Sequence, residues 1–205
     1  MLKTTKHNSH YWRNRKIDWV QSYQNVDHPH RRLITWMLST MGMVSVWEVG
    51  CGAGANLIRI VKELPGVQIG GSDINPDAIE TCHKTFSNSE LFRCESGDNL
   101  SMSDKSAEVV LTDMCLIYVD PLHINKYLRE IKRIGRRYIL FVEFHSPSWW
   151  KRQVARLRGY HVYNYNKRLE SLGFYDVMVQ RLPKEAWPET DNNSEFRSII
   201  TARIP

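Results

Sequence analysis

The chain has 205 residues, 28 of them Lys or Arg against 22 Asp or Glu, with 42% hydrophobic and 24% charged residues. That balance excludes a disordered or fibrous protein and suits one globular domain with a sizeable core, residues 1–205 together. No apolar run approaches the roughly 20 residues needed to span a bilayer, and a net charge of +6 favours acidic partners such as phosphate, nucleic acid or an anionic metabolite.

The N-terminus, Met-Leu-Lys-Thr-Thr-Lys-His-Asn, lacks the apolar core of a secretory signal, so the cytoplasm is the expected compartment. Cys51, Cys82, Cys94 and Cys115 share no Cys-x-x-Cys spacing, which suggests neither a zinc site nor a disulfide scaffold. Residues 1–27 read as a short helical or irregular arm over the active site, anchored by Tyr11, Trp12, Trp19 and Tyr23. A helix follows, with Asp27 as its expected N-cap, Pro29 in its first turn, and Leu33, Trp36, Met37 and Met41 at helical spacing.

From there strands and helices alternate. Val44–Val49 reads as a strand running into glycines, and Ala55–Leu64 as a helix closed by Pro65-Gly66. Val67–Ser72 is a second strand, Pro76–Phe86 a helix, and Leu91–Cys94 a third strand. Glu108–Thr112 is a fourth, followed by a helix over Leu122–Ile134 and a fifth strand over Tyr138–Phe144. After a basic stretch with Trp149 and Trp150, a helix ending at Leu172-Gly173 leads to strands over Tyr175–Gln180 and Ser198–Arg203. The pattern predicts an α/β fold of three layers: a Rossmann-like, seven-stranded, mostly parallel sheet with an antiparallel edge hairpin and helices on both faces.

The segment Val46-Trp47-Glu48-Val49-Gly50-Cys51-Gly52-Ala53-Gly54-Ala55 ends a strand, alternates three glycines and opens a helix. Glycines there let the backbone turn sharply and approach a ligand at the carboxyl end of the sheet. Glu48-x-Gly50-x-Gly52-x-Gly54 resembles motif I of the class I, Rossmann-like S-adenosylmethionine-dependent methyltransferases, in particular the type-11-like small-molecule enzymes. Further stations follow in order: Gly71-Ser72-Asp73-Ile74-Asn75-Pro76, Gly97-Asp98-Asn99 and Val109-Val110-Leu111-Thr112-Asp113-Met114. The resemblance spans residues 44–145 and implies an S-adenosyl-L-methionine cofactor. It assigns Glu48, Gly50, Cys51, Gly52 and Gly54 to the turn that holds it, and Asp73 and Ile74 to its ribose. Asp98 and Asn99 would meet the adenine, and Asp113 and Met114 the methionine end.

The same glycines, as Gly50-x-Gly52-x-x-Ala55, satisfy a dinucleotide fingerprint, and Tyr163-x-x-x-Lys167 has the spacing used by short-chain NAD(P)-dependent dehydrogenases. Against that reading, the glycine spacing is too narrow and the family's partner serine would fall near Trp150. Tyr163 and Lys167 then read as one helix face beside solvent.

Methyl transfer demands alignment, exclusion of water and sometimes removal of a proton. Candidate bases are Asp113, Tyr118, Glu143 and His145. Arg31 and Arg32 occupy a helix's first turn, where the macrodipole disfavours cations, so one of them, or Arg13 or Arg15, is a candidate for an anionic substrate or the cofactor carboxylate. His28-x-His30 reads as a helix cap rather than a metal site, and no metal is expected. Asp113-Met114-Cys115-Leu116 lacks the Asp-Pro-Pro-Tyr type element of amino-methylating DNA enzymes and the Pro-Cys nucleophile of cytosine-C5 enzymes. A small-molecule acceptor, methylated at O or N and anionic in one reading, is therefore favoured. The alternatives are an RNA or protein methyltransferase and a non-catalytic binding module on the same fold. The aromatic, basic insert over residues 146–170 is expected near the acceptor pocket.

Overall fold

The computed structural model describes residues 5–88, 91–189 and 191–205. Two helices, α1 (Thr5–Arg13) and α2 (Trp19–Tyr23), form the N-terminal arm, and α3 (Pro29–Met41) leads into the sheet. The alternating run is β1 (Ser45–Val49), α4 (Ala55–Glu63), β2 (Gln68–Asp73), α5 (Pro76–Thr85), β3 (Phe92–Cys94), β4 (Ala107–Asp113), α6 (Ile124–Ile134) and β5 (Gly135–Phe144). The chain closes with α7 (Trp149–Leu157), α8 (Tyr165–Ser171), β6 (Tyr175–Arg181) and β7 (Arg197–Arg203).

The seven strands lie in the order β3-β2-β1-β4-β5-β7-β6. Pairing is parallel from β3 through β5, while β7 runs antiparallel to both β5 and β6. The hairpin expected at the edge is present, with β7 inside the sheet and β6 outermost. Burial explains the order: β7 is buried along nearly its whole length and β6 is largely exposed.

Successive residues of the central strands serve opposite faces. On β4, Val110 joins one core and Val109 and Leu111 the other; on β5, Ile139 and Phe141 face α6 and α8, and Leu140 and Val142 face α3 and α4. Helices cover both faces, and α6 shows why: Ile124, Tyr127, Leu128, Ile131 and Ile134 recur at helical spacing and are all buried.

Local chemistry corrects several sequence expectations. His28, not Asp27, caps α3, its Nδ1 accepting the His30 amide at 3.4 Å, while the Asp27 carboxylate lies outside, 3.4 Å from Arg59. Leu33, Met37 and Met41 pack on the core, but Trp36 is 62% exposed, and Ile34 and Leu38 carry the buried face instead. The single helix expected before Gly173 is two, α7 and α8, with Gly159 in the left-handed region (φ +90°) between them. Tyr163 is buried ahead of α8, its hydroxyl donating to the Val119 carbonyl, so it shares no solvent-facing helix surface with Lys167.

β1 pairs with β2 on one side and β4 on the other, and the chain leaves β1 toward β2 but arrives at β4 only after β3. That is the switch point where open α/β sheets form a crevice at the carboxyl ends of their strands. At the other end of the sheet, Gly135 joins α6 to β5 in a space already filled: a Cβ there would meet the Ile204 side chain and lie 2.9 Å from the Ile131 carbonyl oxygen. Gly135→Ala should therefore lower stability by about 1–3 kcal/mol, read as a reduced urea midpoint at unchanged m-value.

Candidate active site

The turn after β1 places three alternate glycines in the left-handed region, Gly50 at φ +77°, Gly52 at +53° and Gly54 at +79°. Gly50 is fixed by space as well as by φ, because a Cβ would fall on the Cys115 side chain, 2.7 Å from its Cβ. The Gly50 and Cys51 amides both donate to the Ser72 carbonyl, at 2.7 and 3.0 Å, locking the turn to the end of β2. Asp73 closes that end. Its carboxylate accepts the Gly52 amide and the Asn75 amide, each at 2.9 Å, and burial raises its pKa against these bonds.

Asn75 does two jobs. Its Oδ1 caps α5 through the Asp77 and Ala78 amides, and its Nδ2 donates to the carbonyls of Trp12 (2.6 Å) and Arg15 (2.9 Å) in the arm. The arm is pinned at its other end as well. The Thr5 amide donates to the Asp120 carboxylate and the Asp120 amide to the Thr5 hydroxyl, both at 2.7 Å, and Asn8 donates to the Tyr118 carbonyl. Held at both ends, the arm roofs a cavity of about 290 Å³ between β1 and β4.

A polar cluster forms the floor. Asn56, in the first turn of α4, donates to Glu48 at 2.6 Å and to Asp113 at 3.0 Å. Arg31 donates to Asn56 at 2.6 Å and lies 3.2 Å from Asp113, whose carboxylate also meets His30 Nε2 at 2.8 Å. Burial alone would raise Asp113, but His30, Arg31 and Asn56 outweigh it and hold the carboxyl well below the usual range. Glu48 has Asn56 alone as a neutral partner, and burial pushes it up to about 8. Glu48 Oε2 and Asp113 Oδ1 are buried with no protein hydrogen-bond partner.

Of the residues singled out in the sequence, Glu48, Gly50, Cys51, Gly52, Asp73, Ile74, Asp113, Met114 and Tyr118 line the cavity together. Gly54 stands behind them as the N-cap of α4. Asp98 and Asn99 are not in the wall: Asp98 pairs with Lys126 at 3.0 Å, and Glu95, Ser96 and Gly97 take the place beside the cavity. Glu143 is fully buried under the β4 loop, accepting the Cys115 and Leu116 amides at 3.0 Å each, with burial lifting it to about 8. His145 is also outside the wall; its Nδ1 accepts the Tyr165 amide, and burial lowers its pKa to about 4. Tyr118 is held as the phenol, its pKa raised by burial.

Arg31 reaches the cavity, whereas Arg32 and Arg13 are exposed and Arg15 stacks on the rings of Tyr11, Trp12 and Tyr23. Residues 146–170 contribute nothing to the wall, because α7 packs through Ala155 on Ile117, Phe144 and Phe196, beyond the β4 loop. Sequence reading missed His30, Asn56, Asn8 and Trp187, all of which line the cavity. Asn56 could have been flagged, since it follows the glycine turn directly; Trp187 carries no periodic or motif signal. Among the described residues no His, Cys, Asp and Glu group could hold a metal ion.

Residues 46–137 match a family model described as a methyltransferase domain. Over that span the chain carries a methyltransferase domain. Solved structures agree on the fold. Magnesium protoporphyrin IX methyltransferase from Synechocystis PCC 6803, crystallised with bound S-adenosylmethionine, is similar at 16% identity and a TM-score of 0.63, covering all of this chain and 93% of its own. A protein of Pyrococcus horikoshii OT3 is similar at 15% identity and TM-score 0.64, over 93% of this chain and 100% of its own. A SAM-dependent methyltransferase from Archaeoglobus fulgidus is similar at 20% identity and TM-score 0.59, over 84% and 94%. No curated protein matches the chain.

The methyltransferase wall fits its cofactor. A carboxylate at Asp73 suits two ribose hydroxyls, and the unpartnered oxygens of Glu48 and Asp113 suit a cationic amino group. Tyr163, by contrast, is away from this cavity with its hydroxyl on a backbone carbonyl, which removes the dehydrogenase reading.

Two outcomes follow for this methyltransferase. Asn75→Ala removes a helix cap and both arm bonds, so it should cost about 2 kcal/mol or more. Hydrogen exchange should then show residues 5–23 losing protection before the sheet does. The second concerns pH. Glu48 titrates near 8 folded against 4.5 ordinarily, so its contribution to stability is full below that ordinary value and is lost as pH rises through the folded one. Glu143 acts with the same sign. Glu48→Gln should flatten the decline of thermal midpoint across that window; a slope equal to that of the parent protein would show that Glu48 does not titrate there.

Proposed function

We propose that the enzyme transfers a methyl group to an O or N nucleophile of a small molecule. The observation that carries this reading is the roof: Thr5, Asn8, Ser9, Trp12, Trp19 and Tyr23 of the arm line the cavity together with the glycine turn. At about 290 Å³ the space sits near the lower end of small-molecule sites, about 300–1,000 Å³. A site roofed in this way suits a compact acceptor rather than a folded RNA or a protein surface.

S-adenosylmethionine supplies an activated sulfonium methyl, so the protein's part is binding, alignment and exclusion of water. Asp73 is assigned to the ribose, the Glu95–Gly97 loop to the adenine, Arg31 to a carboxylate of cofactor or acceptor, and Glu48 with Asp113 to the amino group. Trp12, Tyr23 and Tyr118 form an aromatic wall for the acceptor.

Asp113 is held too firmly as carboxylate, and Tyr118 too firmly as phenol, to take a proton near neutrality. His30 lies on the wall, but both its ring nitrogens are engaged, Nε2 with Asp113 and Nδ1 with His28, so it orients the Asp113 carboxylate rather than meeting the acceptor's proton. An amine or thiolate acceptor needs little such help.

We place the protein in the cytoplasm as a single domain over residues 1–205. Its four free cysteines suit a reducing compartment, and among the described residues no helix is long and apolar enough to cross a membrane.

Asp73→Asn should weaken S-adenosylhomocysteine binding by about tenfold or more, since hydrogen bonds to a charged partner are worth about 1.5–3 kcal/mol; calorimetry reads this directly. For the acceptor, the enzyme with isotope-labelled cofactor is incubated with separated small-molecule, RNA and protein fractions of a cell extract. Label should enter the small-molecule fraction. Label confined to RNA or protein would replace this reading, and cofactor binding without any transfer would make the chain a binding module.

A further inference from the structure

The aromatic, basic segment that stays out of the active site builds a depression of its own. It lies across the loop between β4 and α6, has a volume of about 170 Å³, and is lined by Pro121, Trp149, Arg152, Arg156, Tyr163 and Arg168 among others. The partition is thin: the Tyr163 hydroxyl donates to the carbonyl of Val119, which lines the cofactor cavity. The two pockets are therefore neighbours with separate walls.

Three guanidiniums converge there. Arg152 is tied to the Ser146 and Pro147 carbonyls at 2.9 and 2.8 Å, which fixes its plane. Arg168 sits 5.0 Å over the Tyr163 ring and donates to Asn125. Arg156 has its Nε buried without a hydrogen-bond partner. Among the described residues none of the three pairs with a carboxylate, and none of the pocket's lining residues is acidic. Nearby, Lys151 has found Glu195 and Arg197 has found Asp191. Burial and the charge of Arg168 together lower the Arg152 pKa, as expected where like charges face one another unneutralised.

We propose that this pocket binds the phosphoryl group of a ligand. A carboxylate occupies one guanidinium fork, whereas a phosphoryl group offers three acceptor oxygens and up to two negative charges to several. The volume is below that of whole-ligand sites, about 300–1,000 Å³, so the pocket takes a head group while the remainder of the ligand lies outside. Trp149, 55% exposed at the rim, supplies a ring for that remainder. A soluble phosphate ester and a phospholipid head group present the same chemistry, and the exposed Trp150, Val154 and Leu157 along α7 leave both sources to be distinguished. The proposal is independent of the acceptor assigned above.

The test is calorimetric titration with inorganic phosphate and pyrophosphate at constant ionic strength, on the full chain and on Arg156→Gln and Arg156→Lys. Saturable binding is expected, weakened by about tenfold or more in Arg156→Gln and less in Arg156→Lys. S-adenosylhomocysteine affinity should stay within about twofold in both variants, which shows that the fold and the cofactor cavity survive. No saturable binding of either anion up to about 10 mM, or equal binding by Arg156→Gln, overturns the proposal.

Sedimentation with phosphatidylcholine vesicles containing phosphatidic acid separates the sources. Vesicle binding that pyrophosphate displaces assigns a lipid head group. Anion binding without vesicle binding assigns a soluble ester. Vesicle binding indifferent to both pyrophosphate and Arg156→Gln places the lipid elsewhere and overturns the assignment to this pocket.

Discussion

The carboxyl ends of β1 and β4 meet so closely that Gly50 has no room for a Cβ beside Cys115. That single approach governs the geometry around it. A backbone at φ +77° swings the turn back toward β2, where the Ser72 carbonyl receives two consecutive amides. The same turn presents the Gly52 amide to Asp73, so the acid we assign to the ribose is oriented by the glycine loop itself. Position and chemistry are set by one contact.

The floor of the cavity shows how burial and pairing divide two nearby carboxyls. Asp113 meets His30, Arg31 and Asn56 and remains ionised, whereas Glu48 meets Asn56 alone and is pushed toward neutrality. Environment rather than residue type makes the difference. Asn56 is the bridge between them, donating to both, and Arg31 orients Asn56 in turn. A network of this kind is costly when incomplete, and the unpartnered oxygens of Glu48 and Asp113 are the reason we assign a cationic group to them.

The arm turns an open crevice into a covered one. Asn75 holds it near the ribose acid and Asp120 holds it beyond the β4 loop, so its two anchors straddle the cavity. Thr5 offers Asp120 both an amide donor and a hydroxyl acceptor; the Thr5 amide, with His123 and the Leu122 amide, bonds the carboxylate, outweighs burial and keeps Asp120 well below the usual carboxylate range. Across the Val119–Pro121 segment lies the arginine pocket, so this short loop serves as roof anchor on one side and wall on the other.

The sequence by itself determined the strand–helix alternation, the glycine turn and the order of the acids. These follow from local periodicity, backbone freedom and spacing along one chain. It also placed Asp73 and Asp113 at strand ends, because an acid after an apolar run marks where the chain leaves the core. The tertiary structure decided the rest. His30 reads in sequence as part of a helix cap, and only the packing of α3 against β4 puts it 2.8 Å from Asp113. Trp187 comes from an irregular segment with no period to read, and stacks on His30 through folding alone. Glu143 and His145 sit at a strand end as expected, but the β4 loop and α8 cover them. Asp98 is drawn to Lys126 by a charge 28 residues away. Spacing fixes which residues reach the end of a sheet; which of them face the cavity depends on partners distant in sequence.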